Sequence, residues 1–154
     1  MIQFFAEYLD NLAELHSEIM RTVRHLPAEA LDWVPFPDGN SLSVLVVHTS
    51  GAEKYWIGDV VANEPSARDR PAEFRVKNMR LQDLEARLNE SLGYAELVVS
   101  KLGLDDLEAK RINPRDGQEV SVAWALLHAL KHTALHLGHM QLTRQLWDQA
   151  SSGD

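Results

Sequence analysis

No cysteine occurs anywhere in the 154 residues. That one absence excludes a disulfide framework, a thiolate metal ligand and a cysteine nucleophile, so any thiol chemistry must draw its sulfur from outside the chain. It also fits a reducing compartment, and a cytoplasmic location is expected. No apolar run approaches the roughly 18 to 20 residues that a membrane span requires, and the first residues carry no basic leader. Positive charge is scarce as well: 15 Lys and Arg stand against 23 Asp and Glu, for a formal net charge of -8. Phosphate attraction dominates nucleic-acid affinity, and the basic residues here are scattered, as in Arg68-Asp69-Arg70. Nucleic acid and membrane are therefore not expected partners. No Gly-x-Ser-x-Gly elbow occurs, and no segment alternates with the two-residue period of a strand over any length.

The three-and-four spacing of helices is present instead. Ile2, Phe5, Leu9, Leu12, His16, Ile19, Val23 and Leu26 form an unbroken seam that Pro27 stops. After the turn-rich stretch Pro35-Phe36-Pro37-Asp38-Gly39, Asn40 or Ser41 can cap a second helix running to about Asn63. This helix is apolar on two sides, with Ser41, Val44, Ala52 and Tyr55 on the face of His48 and Leu42, Val46, Ile57 and Val60 opposite, so it belongs in the interior. Residues 64–77, with Pro65 and Pro71, read as a connection; extended, they reach up to about 45 Å, enough to run the length of a bundle and to set helices two and three parallel. Helix three carries Leu81, Leu84, Leu88, Leu92, Ala95 and Leu102 and ends near Gly103. Past a turn at residues 113–117, Ser121 caps a fourth helix that runs to about Asp148. One domain spans residues 1–154, and its fold class is all-α, a four-helix bundle.

Four of the seven histidines fall in helix four, at His128, His132, His136 and His139. At about 100° per residue they occupy an arc of roughly 80° on one face. Stacked and charged, they would repel and desolvate at high cost; neutral and coordinating a metal, they would not. A helix supplies ligands well at i and i+4, so His132 with His136, or His128 with His132, could serve beside a third ligand from a facing helix. His48 is the only histidine on helix two. His16, inside the seam of helix one, reads first as a core histidine bonded to a neighbour and second as part of the site wall. Glu53, about 140° around from His48, reads as a structural interhelical residue, and Tyr55 as a wall residue of the pocket.

The segment Ser41–Trp56, centred on His48, resembles the helix-two signature of the DinB/YfiT-like superfamily. His132-Thr133-Ala134-Leu135-His136-Leu137-Gly138-His139 resembles its helix-four signature, a His-x-x-x-His followed by x-Gly and a polar residue, with Arg144 in the place of a later arginine. The resemblance implies an up-down-down-up bundle, frequent homodimers, and a divalent metal held by His48, His132 and His136. Zinc or nickel stands first for that metal, with iron, cobalt or manganese as alternatives. His128 and His139 then flank the site, as residues for substrate or a ligand water or as ordinary rim histidines.

Three protein ligands leave a coordination position open, the pattern of a catalytic metal. The resemblance implies an S-transferase in which the metal activates an external low-molecular-weight thiol for attack on a small-molecule electrophile. The mycothiol-using branch commonly has Glu first in the helix-four pair and an Arg-His-Asn-Gly-His-x-Asp run. This chain has His132 and Leu135-His136-Leu137-Gly138-His139-Met140-Gln141, so the expectation stops at the thiol class. The alternatives are a metal-dependent hydrolase using metal-bound hydroxide and a non-enzymatic, stress-related metal-binding protein. A homodimer is also expected from helix four itself, where Ala123, Leu126, Leu127, Leu130, Ala134 and Leu137 lie opposite the histidines as an apolar stripe.

Overall fold

The structure is a computed structural model and describes residues 1–153. Its helices are α1 (Gln3–Val23), α2 (Ala28–Asp32), α3 (Leu42–Lys54), α4 (Arg70–Glu73), α5 (Leu81–Val99) and α6 (Val122–Ser151). The seam of α1 is buried as its spacing demands, through Phe5, Leu9, Leu12, His16, Ile19 and Val23. Two serines start helices by satisfying free backbone N–H groups: Ser41 Oγ accepts from Val44 N at 3.2 Å and Ser121 Oγ from Trp124 N at 3.1 Å. Between them they fix where α3, which bears His48, and α6, which bears His132 and His136, begin.

Two apolar clusters give the topology. One gathers the N-terminal part of α1 (Phe5, Leu12), the segment just beyond α3 (Tyr55, Ile57), the C-terminal part of α5 (Val98, Val99) and the N-terminal part of α6 (Val122, Leu126). The other gathers the opposite ends: Ile19 and Val23, Leu42 and Val46, Leu84 and Leu88, Leu137 and Met140. Helices whose N-termini meet in one cluster run parallel, so α3 and α5 point one way and α1 and α6 the other. This is the up-down-down-up bundle, and residues 64–77 make the crossing that it requires.

Four details depart from the sequence reading. Helix two does not stay α to Asn63; from Tyr55 to Ala62 it widens into a π-helix, a feature that often accompanies functional sites. Gly58 lies within it because a Cβ there would come 2.8 Å from the Tyr94 hydroxyl. Second, the two connectors contain short helices, α2 and α4, the latter started by Asp69, whose carboxylate accepts the Ala72 N–H at 3.0 Å. Third, residues before α6 form a small antiparallel hairpin, β1 (Lys110–Ile112) against β2 (Glu119–Ser121). Strands of three residues are too short to show an alternation.

The fourth departure concerns the stripe on α6. Leu126 and Leu137 belong to the core, at 1% and 8% exposure, so only part of the stripe opposite the histidines meets solvent, Leu127 at 57% exposure within it. The core-facing row is Val122, Ala125, Ala129, Thr133, Leu137 and Met140. The histidine row lies about 90° around from it, at the edge of the bundle rather than on its axis.

Candidate metal centre

The α3 and α6 helices pack side by side and bring His48 against His132 and His136. One ligand-capable nitrogen from each ring lies within 4.8 Å of the others, close enough for a single ion. Ring centroids are 5.1 Å apart for His48 and His132, 4.9 Å for His48 and His136, and 4.4 Å for the α6 pair. His132 Nε2 and His136 Nε2 stand 3.2 Å apart. Two lone pairs that close repel unless a proton or a cation lies between them. A third nitrogen aimed at the same point fits the cation.

The outer ring nitrogens of His48 and His136 have partners, whereas His132 Nδ1 is buried without one. His48 Nδ1 donates to Glu73 Oε2 at 2.9 Å, which leaves its Nε2 lone pair for the cluster. Arg68 grips the same carboxylate at both oxygens, Nε to Oε1 at 2.5 Å and Nη2 to Oε2 at 2.8 Å. Burial opposes ionisation of Glu73, but hydrogen bonds from Arg68 and His48 outweigh it and hold the carboxyl below its usual range. Glycine at residue 51 leaves room for the carboxylate against α3: a Cβ there would lie 2.2 Å from Glu73 Oε1 and would make it shift. A carboxylate behind a ligating imidazole fixes its tautomer and raises its basicity. On α6, His139 Nδ1 lies 3.3 Å from His136 Nδ1, in position to do the same for that ring.

The pair on α6 stays neutral well into acid. Burial, followed by the charges of His136, His48, His128 and Arg68, brings His132 down to about 3. Burial, followed by His48 and His139, brings His136 down to about 4. Neutral imidazoles are the ligating form.

Comparison with known proteins gives the family and the fold. A family model described as mycothiol-S-transferase matches residues 7–149. The chain belongs to the mycothiol-S-transferase family. Within the DinB/YfiT-like superfamily, this S-transferase family member superposes on a conserved protein from Enterococcus faecalis with a TM-score of 0.79 at 16% identity, over 95% of this chain and 98% of that one. It superposes on YfiT from Bacillus subtilis, described as a probable metal-dependent hydrolase with an unusual four-helix bundle topology, with a TM-score of 0.75 at 15% identity, over 94% and 88%. A mycothiol-dependent maleylpyruvate isomerase gives 0.65 at 12% identity, and the chain spans 59% of its length. These likenesses establish the shared fold. No curated protein matches the sequence.

The other residues singled out in this family member take separate places. The His128 ring stacks on Trp124, 4.7 Å between centroids, and sits 4.4 Å from Trp56. Burial, then Lys131 and Arg115, push it down. Tyr55 is buried beside the hairpin, its hydroxyl donating to Asn113 Oδ1. His16 is in the core rather than the site wall, its Nε2 2.9 Å from both oxygens of Glu53. Glu53 is the interhelical residue that its wheel position suggests. The sequence reading missed Glu73, Arg68 and Phe74, whose ring lies 4.8 Å from that of His48. A visible signal was Asp69-Arg70-Pro71, a cap followed by an early proline, which marks a helix start inside the supposed connection.

Proposed function

We propose that the protein is a metal-dependent S-transferase that joins an external low-molecular-weight thiol to a small electrophile, with His48, His132 and His136 as the metal ligands. One observation carries the reading: three imidazole nitrogens from two helices converge within 4.8 Å, one of them fixed from behind by Glu73. Membership of the mycothiol-S-transferase family supports the choice of reaction. The bound divalent ion would supply Lewis acidity, lowering the pKa of a thiol so that it reacts at neutral pH.

The chain's own residues do the rest. His48, His132 and His136 present neutral lone pairs, and Glu73 and His139 keep two of the rings turned toward the ion. Since the chain has no cysteine, sulfur comes from the cosubstrate, and the new S–C bond forms as the electrophile's leaving group departs. Zinc and nickel both suit three imidazoles. The hydrolase reading uses the same ligands, and thiol dependence separates the two.

The test is metal analysis of protein purified without a nickel column, then thiol consumption with mycothiol, bacillithiol and glutathione against monobromobimane. His132→Ala and His136→Ala should each lose bound metal and turnover together. His25→Asn should keep both, since Asn tolerates the left-handed backbone of that exposed position, where φ is 61°. Retained metal in His136→Ala would overturn the site, and ester turnover without thiol would favour the hydrolase.

A further inference from the structure

A cleft of about 430 Å³ opens over the Tyr55 ring, with Arg68, Arg70, Arg115, Pro71 and Asp59 in its walls. The guanidinium carbons of Arg68 and Arg115 lie 5.6 and 5.9 Å from the Tyr55 ring centroid. That of Arg70 lies 5.0 Å from the Phe74 ring, which in turn packs on His48. Arg68 is committed to Glu73, whereas Arg70 and Arg115 make no ion pair among the described residues. Against the three cations stand Asp59, Asp116 beside the Tyr55 hydroxyl and, behind Arg68, Glu73, so the cleft is balanced in charge but offers two guanidiniums, those of Arg70 and Arg115, that no carboxylate holds.

Arg115 does not arrive there by chance of a loose loop. Its backbone N–H donates to the Tyr55 hydroxyl at 3.1 Å and to Asn113 Oδ1 at 3.2 Å, while the same hydroxyl donates to Asn113. Tyr55 and Asn113 are both buried, so the turn that bears Arg115 is pinned to the wall of the cleft. The cleft also adjoins the histidine row: Arg68 Nη2 is 3.4 Å from His48 Nδ1, and Arg115 is near enough to His128 to bear on its protonation. Uncommitted guanidiniums facing a concave, half-apolar space are suited to a bidentate oxyanion.

We propose that this cleft binds an oxyanion, the carboxylate or phosphate group of the small-molecule substrate, with Arg70 and Arg115 as its ligands and Tyr55 as the residue that positions Arg115. That the occupant is the substrate rests on the metal-site reading above; that the cleft takes an oxyanion does not. The substrate class is then an anionic electrophile or an anionic thiol, held by its charged end while its reacting atom reaches the histidine cluster.

Calorimetric titration of the full chain at low salt tests this, with succinate and inorganic phosphate as probes and neutral succinamide as control. The protein is used both zinc-loaded and chelator-treated. At least one of the two anions should bind in both forms, and whichever binds tells carboxylate from phosphate; succinamide should give no heat. Arg115→Gln and Arg70→Gln should each weaken that anion about tenfold, the scale of one charge-assisted hydrogen bond. Tyr55→Phe should weaken it about threefold with no change of charge, as expected if the hydroxyl acts only by placing Arg115. Zinc titration of the arginine variants should match the unaltered protein. Absence of binding by either anion, or unchanged binding in Arg115→Gln, overturns the proposal. A protein that binds the anion but no zinc retains the oxyanion site and loses the metal reading, so the two failures are distinct.

Discussion

Two histidine–carboxylate pairs meet on α3 with the same 2.9 Å contact, His16 with Glu53 and His48 with Glu73, and they are built for different ends. Glu53 is fully buried, and each of the four long helices contributes to its pair: His16 from α1, Glu53 itself from α3, Ser91 Oγ at 2.5 Å from α5 and Thr133 Oγ1 at 2.7 Å from α6. Glu73 comes from the crossing between α3 and α5 and is steadied by a guanidinium at the rim. The second nitrogen shows the difference most clearly. His48 turns its free one toward two other imidazoles, whereas His16 Nδ1 is buried with no protein partner. The His48–Glu73 pair leaves one imidazole nitrogen free to face the cluster, and the His16–Glu53 pair ties four helices at one point. A histidine beside a carboxylate therefore says little until its other nitrogen is followed.

The comparison breaks most sharply at His16. His16→Leu leaves the Glu53 carboxylate buried without its main partner, a loss of about 3 to 5 kcal/mol. At 2 to 4 °C per kcal/mol for a chain of this size, Tm should fall by about 10 °C. The folded protein should still take up one metal ion, measured by zinc titration. An unchanged Tm would mean that the core pair does not tie the bundle, and lost zinc would mean that the two pairs are not separate.

Glu73→Gln should do the reverse. Zinc affinity should drop 10- to 100-fold, as for other carboxylates behind metal-bound histidines, while the Tm of chelator-treated protein moves less than in His16→Leu. Gly51→Ala should push in the same direction by a smaller factor, because the new methyl displaces the carboxylate rather than removing it. Zinc affinity equal to that of the unaltered protein in both variants would deny Glu73 an orienting role.

A further effect is one of pH. In metal-free protein His132 and His136 titrate near 3 and 4, below the ordinary 6.5 of an unfolded imidazole. The unfolded chain thus binds more protons between those limits, and stability rises with pH across that window. Lowering pH from 7 to 4 should depress the Tm of chelated protein. His132→Ala should flatten the slope, measured by thermal melts against pH, while a slope unchanged by the substitution would place its origin elsewhere.

Much of this was legible in the amino acids. The seam of α1 and the Ser121 cap follow from spacing, and the reach of residues 64–77 allowed the parallel α3 and α5 that the family resemblance implied. The three-histidine cluster followed from i,i+4 geometry on α6 together with the family resemblance. The tuning of that cluster was not legible, for a physical reason. Glu73 and Arg68 lie 25 and 20 residues from His48 in a proline-bearing segment without periodicity, and the bare Cα of Gly51 leaves them room to close on it. The partners of His16 escaped for a related reason: Ser91 and Thr133 sit at ordinary helical positions, and nothing in their spacing marks them. The stripe on α6 was legible in part: Leu127 is exposed as expected, while Leu126 and Leu137 turn into the core because the histidines occupy a flank between core and surface.

The route of the chain from α3 to α5 bears on how such proteins diversify. In a bundle of hairpins, neighbouring helices are joined by tight turns that have no room to carry anything. Here the parallel pair forces a traverse from one end to the other, and residues 64–77 pass the histidine cluster on the way. The scaffold and the ligands are written on long helices, whereas the groups that adjust them are written on a strap that can be exchanged without disturbing either core. Grafting that strap between relatives of this fold would transplant metal tuning and anion preference together, leaving the framework as it was.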